Sequence, residues 1–325
     1  MRAFEWCEPV TLEEALADLA VENAAIKAGG IDLLDRLKGR LDFPQRLVSL
    51  RRVAGLEMVR LREDGGLELG ASVTLSAVAE HPLVRSRWPA LAEAADQVAT
   101  PNVRNAATVG GNLLQRPRCW YFRKESFRCV RKGGEACFAQ DGRNAHHSVL
   151  ANDMCAMSHP SDLAVPLVAH GATVSIAGRS GRREASLESL FVAPDEDITR
   201  EHRLAAGEIL VAVRIPAPPP GRARFVKLRE RESADWPLAA AAAVLGLAGE
   251  RCTSASIVLG AAAPVPWRAR AAEALLVGAL VDAEVADRAA RAALAEARPF
   301  LENRHKVQLL ETALRRAVLG PGGWR

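Results

Sequence analysis

The sequence predicts an α+β fold divided into more than one domain. Three observations carry this reading. Near the N-terminus, a short strand, Ala24–Ala28, runs through Gly29-Gly30 into a helix over about Asp32–Lys38. Pro216-Ala217-Pro218-Pro219-Pro220-Gly221 separates segments with strand character on either side. Beyond about Trp267 the apolar spacing turns helical. The chain has 325 residues, enough for two or three packed domains.

Taken in order, Thr11-Leu12-Glu13-Glu14 has the form of a capping box, and Leu12, Ala15, Leu16 and Leu19 mark the apolar face of the helix it opens. The Gly-Gly unit follows, then a strand over Arg46–Leu50. Gly65-Gly66 separates Glu57–Leu61 from Leu67–Ala71 and predicts a hairpin. Helices are expected at Leu75–Glu80 and Pro89–Val98, then irregular structure from about Gln115 to Met157. A loop that long within a compact domain is usually functional. Strands are expected at Ala172–Ile176 and Glu208–Ile215. Prolines cannot sit in a sheet interior, so the 216–221 stretch is read as a domain boundary. Two further strands, Ala223–Arg229 and Ser254–Leu259, flank an alanine-rich segment, and helices follow at about Trp267–Val277, Asp282–Ala297 and His305–Leu319. The resulting division is 1–220, split internally near 55–60 and carrying an insertion at 115–157, then 221–325.

Composition narrows the function. A net charge of +4, from 43 Lys+Arg against 39 Asp+Glu, gives no electrostatic footprint for nucleic acid. The longest apolar run, Pro237–Ala248, is about half of the roughly 20 residues a membrane span needs. The N-terminal residues lack the apolar core of a signal peptide. The expected compartment is the cytoplasm, with folded export to the periplasm on a signal-bearing partner as the alternative. No Ser/His/Asp set or carboxylate pair marks a hydrolase, because Arg104, His159, Asp162 and Asp235 are scattered without a nucleophile.

Four of the six cysteines, Cys119, Cys129, Cys137 and Cys155, fall in the 115–157 window; Cys7 and Cys252 are read as small buried hydrophobes. The gaps of nine, seven and seventeen residues contain none of the closely spaced pairs of a zinc ribbon. A [4Fe–4S] cluster needs one cysteine per iron corner, and four thiolates from one loop can supply that. From spacing alone, a cluster, a structural zinc site and free thiols all stay open. His146 and His147 are read as belonging to a solvent-exposed polar loop.

Two loops offer backbone N–H groups to phosphate. One is Lys27-Ala28-Gly29-Gly30-Ile31-Asp32-Leu33-Leu34, and the other is Thr108-Val109-Gly110-Gly111-Asn112. Neither matches the Gly-x-Gly-x-x-Gly fingerprint. Considered singly, Asp162 is a candidate N-cap and Lys227 a candidate surface charge.

Together these stretches, with Ser161-Asp162-Leu163, Glu208-Ile209-Leu210 and Phe225-Val226-Lys227-Leu228-Arg229, resemble the FAD-binding medium subunits of molybdenum hydroxylases of the xanthine dehydrogenase family. The cysteine window resembles the branch that carries a [4Fe–4S] cluster, which includes bacterial aldehyde oxidoreductases and 4-hydroxybenzoyl-CoA reductase. The resemblance implies a two-part FAD-binding fold of the vanillyl-alcohol oxidase type and a small C-terminal α+β domain. It implies that Lys27 to Leu34 and Thr108 to Asn112, Gly110 and Gly111 included, hold the diphosphate and adenosine side of FAD. Asp162 would contact the cofactor, Leu210 would pack on the isoalloxazine, and Lys227 would sit near the flavin's polar edge. The four cysteines would ligate the cluster. Partners would be a molybdopterin-containing large subunit, a [2Fe–2S] small subunit and an external electron acceptor. Ile31 departs from the family's Gly-Gly-Thr-Asp and removes one hydroxyl contact. The competing readings are a zinc-stabilised assembly module, a reductive benzoyl-CoA-type subunit and a stand-alone flavin oxidase.

Overall fold

The computed structural model describes residues 2–320. Its strands form three sheets. β1 (Glu5–Cys7), β2 (Ala24–Lys27) and β3 (Arg46–Ser49) make a parallel sheet in the order β1-β3-β2. The helix Leu12–Asp18 opens on the expected capping box, with Thr11 Oγ1 accepting from Glu14 N. The helix Ile31–Lys38 buries Leu33 and Leu37 against Leu47.

β4 (Val59–Leu61), β5 (Leu67–Gly70), β6 (Thr173–Gly178), β7 (Gly181–Ser186) and β8 (Ile209–Ile215) form an antiparallel sheet, order β4-β5-β8-β6-β7. Helices Leu75–Glu80, Pro82–Arg87 and Pro89–Asp96 contribute to its core, where Trp88 is fully buried. The sequence reading missed Pro82–Arg87, a short helix with proline at its first position, and β7, whose Gly-Arg-Arg-Glu-Ala-Ser has no apolar alternation because it is a solvated edge.

β9 (Gly221–Leu228), β10 (Ala239–Ala248), β11 (Arg251–Gly260) and β12 (Trp267–Arg268) form the third sheet, order β12-β11-β10-β9. The alanine-rich segment is therefore a ten-residue strand. Alanine is a poor strand former, but propensity yields to packing when both faces are buried. Ala240, Ala242 and Val244 face the core of the second sheet. Ala239, Ala241 and Ala243 face helices Arg270–Leu276, Ala283–Ala293 and His305–Leu319.

The core is thus continuous across the proline-rich stretch. That stretch is pinned rather than free: Trp88 Nε1 donates to the Pro216 carbonyl (3.1 Å) and Leu247 N to the Pro220 carbonyl (2.8 Å). Glu93 also accepts from Phe225 N at 2.8 Å.

The cysteine window contains one helical turn, Trp120–Arg123, and a 3-10 turn, Val130–Lys132. Long-range bonds replace regular structure. Buried Lys306 donates to the carbonyls of His147 (2.9 Å) and Ala261 (2.8 Å), and Asn303 Nδ2 donates to those of His147 and Ser148 (3.1 Å each). Tyr121 stacks edge-on to Phe127 with centroids 5.0 Å apart, and its hydroxyl accepts from Arg143 N at 2.7 Å. Trp120 and Tyr121 therefore serve loop packing.

Candidate cofactor sites

A cavity of about 590 Å³ lies where the first sheet meets the second. Such a volume is within the usual range for a cofactor cleft. The two glycine loops form one wall, and Ile209 and Leu210 at the start of β8 form another. Glycine is required at the contact between the loops, because a β-carbon at Gly29 would lie 1.9 Å from the Ala106 carbonyl oxygen. Gly30 adopts φ +82°, which a β-carbon would strain. No side chain caps the helix that begins at Ile31, and Gly30, Ile31, Asp32 and Leu33 line the cavity, so the positive end of the helix dipole lies at this wall.

The second loop differs. Thr108 Oγ1 accepts from Gly111 N (3.2 Å), while Gly110 N is spent on the Ala71 carbonyl (2.8 Å). Its role at the wall is close approach rather than free donation: a β-carbon at Gly110 would meet Ala71 at 3.0 Å and Leu210 at 3.5 Å.

Of the residues read from the sequence, Ala28 through Leu33, Thr108, Gly110, Gly111, Asn112 and Leu210 line this cavity. Lys27, Leu34, Asp162 and Lys227 are not in its lining. Lys27 Nζ lies 5.6 Å from the Trp6 ring centroid, and Leu34 packs beside Leu33 and Leu37. Asp162 and Lys227 are buried and pair with each other at 2.7 Å, with Lys227 Nζ also donating to the Gln97 carbonyl at 2.9 Å. Lys227 is therefore not a surface charge, and Asp162 is not the cap; Ser161 Oγ takes the Ala164 N–H instead. Burial raises the Asp162 carboxyl above its ordinary range, against the pull of Lys227.

Asp32 has a second task. Burial would raise its carboxyl, but Arg36, Arg123 and Arg118 together hold it below the ordinary value. Arg123 Nη2 is 2.5 Å and Arg118 Nη2 3.0 Å from its Oδ1, and Arg116 N donates to Oδ2 at 3.1 Å. Three of these four arginines belong to the cysteine window, so Asp32 ties that window to the cavity. The sequence reading also missed Arg118, Trp236 and His202 in the cavity lining. Arg118 Cζ sits 5.0 Å from the Trp236 centroid, a pairing across 118 and 236 that no local pattern signals.

The four window cysteines line one small enclosed cavity of about 10 Å³, together with Arg131 and Met157. All are free thiols. Cys137 and Cys155 are hydrogen-bonded, which lowers the first thiol and raises the second. Burial pushes Cys119 up to about 11. Arg131 Nε donates to Cys155 Sγ at 3.2 Å. A β-carbon at Gly134 would lie 1.6 Å from the Arg128 carbonyl oxygen, so the turn after Cys129 needs glycine. Among the described residues no three His, Cys, Asp or Glu groups converge in the geometry of a bound metal ion. The donor set, four soft thiols and no carboxylate, suits zinc or an iron–sulfur centre.

Two expectations are corrected. His147 is buried, with Nε2 3.3 Å from Cys119 Sγ, and burial, then Lys306 and His146, lower its imidazole to about 4; only His146 is exposed. Cys7 is partly exposed, unlike buried Cys252.

Residues 2–218 match the family model for the FAD binding domain in molybdopterin dehydrogenase, and residues 224–319 the CO dehydrogenase flavoprotein C-terminal domain. The chain belongs to the FAD-binding medium subunits of molybdenum hydroxylases. It is 33% identical over 318 residues to the aldehyde oxidoreductase FAD-binding subunit PaoB of Escherichia coli K12, covering 97% of this chain and 96% of that one. It is 28% identical to the carbon monoxide dehydrogenase medium chain of Afipia carboxidovorans, with the same coverage. Among solved structures, quinoline 2-oxidoreductase from Pseudomonas putida 86 superposes with a TM-score of 0.76 at 29% identity, covering 98% and 96% of the two chains. This medium subunit is thus a FAD-binding subunit of an oxidoreductase with the expected α+β fold. No helix among the described residues is long and apolar enough to cross a membrane.

Proposed function

We propose that this chain is the electron-transfer subunit of a heterotrimeric molybdenum-containing oxidoreductase acting on an aldehyde. The 590 Å³ cavity has the size for FAD, and the four cysteines lining the second pocket supply the one thiol per iron that a [4Fe–4S] cluster takes. The observation that carries the reading is that all four window cysteines line one small pocket, in a loop tied through Asp32 to the wall of the flavin cavity. Resemblance to an aldehyde oxidoreductase FAD-binding subunit supports the substrate class.

The uncapped first turn at Ile31–Leu33 would hold the anionic diphosphate, and Leu210 would bound the ring. Both groups supply redox chemistry that side chains lack. The protein's part is to exclude water, fix distance and set the charge around each group. A large molybdopterin subunit would oxidise the aldehyde, and a small [2Fe–2S] subunit would relay electrons here, for delivery to an external acceptor in the cytoplasm.

The test is reconstitution. Aldehyde should leave the flavin of the isolated subunit oxidised and should bleach it once the two partner subunits are present. Bleaching by substrate in the isolated subunit would instead establish a stand-alone flavin oxidase.

A further inference from the structure

We infer that Arg131 and Glu201 form a buried charge pair that sets the reduction potential of the centre held by the four cysteines. This inference rests on the iron–sulfur reading above. Arg131 lies within the window, and its side chain is almost wholly buried in the wall of the cysteine pocket. Its Nε donates to Cys155 Sγ at 3.2 Å. Its Nη1 donates to Glu201 Oε1 at 3.0 Å and to the Arg200 carbonyl at 3.2 Å. Its Nη2 is buried with no hydrogen-bond partner.

That orphan is informative. A buried guanidinium N–H without an acceptor is rare and costly. Inorganic sulfide or a ligating thiolate in the adjoining pocket is an acceptor of the kind it lacks. Arg131 thus brings a fixed positive charge and N–H donors to the cysteine pocket, and both favour the more negative, reduced state of an iron–sulfur centre.

Glu201 is the counterweight. It is buried and accepts from Arg131 and from Arg116, whose Nε lies 2.9 Å from Oε2. It is also followed by His202, which lines the flavin cavity. The pair therefore joins the wall of the cysteine pocket, through Arg131, to the segment whose next residue lines the flavin cavity. Removing either member should move the potential, in opposite directions.

The experiment is redox titration of the cluster in the purified heterotrimer, followed by electron paramagnetic resonance. Arg131→Gln should make the cluster harder to reduce by about tenfold in the equilibrium constant, 59 mV downward for one electron. Glu201→Gln should shift it upward. Arg131→Lys, which keeps the charge but loses the planar donors, should fall between Arg131→Gln and the native chain. Unchanged potentials in Arg131→Lys and Glu201→Gln, or shifts of the same sign in Arg131→Gln and Glu201→Gln, would overturn the inference, as a purely structural role would not give opposite signs. If Arg131→Gln fails to assemble, the other two variants still decide it. A native complex without any iron–sulfur signal would reject the underlying reading instead.

Discussion

The two candidate sites are built by different means. The flavin cavity is made largely of backbone: a left-handed glycine, an uncapped helix start and loops that touch where only glycine fits. The cysteine window is held by side chains that reach far along the chain. Arg131 meets Glu201 across 70 residues, Arg123 meets Asp32 across 91, and Asn303 meets His147 across 156. A backbone-built site is set by local sequence and tolerates drift in its side chains, which accounts for how Ile31 can line the cavity. A side-chain-built site depends on the rest of the molecule being folded first.

The sharpest way to break this contrast is a pair of glycine substitutions. Gly29→Val should abolish FAD binding and leave iron content near native, because its β-carbon collides with the Ala106 carbonyl. Gly134→Val should do the reverse through the Arg128 carbonyl. Flavin and iron assays on both variants check this; loss of both cofactors in both variants would mean that the sites form a single folding unit.

Next in size is Lys227→Met. It leaves Asp162 buried without its partner, and uncompensated buried charge costs about 3–5 kcal/mol. Denaturant unfolding should register that loss, and adding Asp162→Leu should recover most of it.

A smaller effect separates the region joining the two sites. Asp32 is held below its ordinary carboxylate value of 3.8 because its arginine neighbours outweigh burial. The stability this contributes is complete above that value and is lost as pH falls through the lower folded one. Asp32→Asn should therefore be less stable than the native chain at neutral pH, with the gap closing under acid; a gap constant with pH would contradict it.

The least effect is at the cavity mouth. Trp236→Ala removes the ring beside Arg118, an exposed cation–π contact of about 0.5–1 kcal/mol. Isothermal titration should show FAD bound about two- to five-fold more weakly, on the same energetic scale.

How much of this was legible in the sequence follows the same division. The capping box at Thr11, the helix at Leu75–Glu80 and the Gly-Gly unit are local patterns, and the structure has them where the residues indicate. β10 was not legible, since alanine becomes a strand former only between two packed layers. The solvated β7 carried no alternation to read. At the site, the glycines announced themselves, while Glu201, Arg118 and Trp236 did not. Their meaning comes from partners distant in sequence, as does that of Lys227, which reads as surface charge until Asp162 is placed beside it.

On the proposed reading, one polypeptide houses both a flavin and an iron–sulfur cube. Metal, acid-labile sulfide and flavin analysis of the complex bearing native and Cys137→Ala forms of this subunit tests it most directly. The Cys137→Ala form should lose about four iron and four sulfide per flavin, the content of one cubane, while FAD is retained. One zinc per flavin in the native subunit, and no loss of sulfide in the variant, would contradict it.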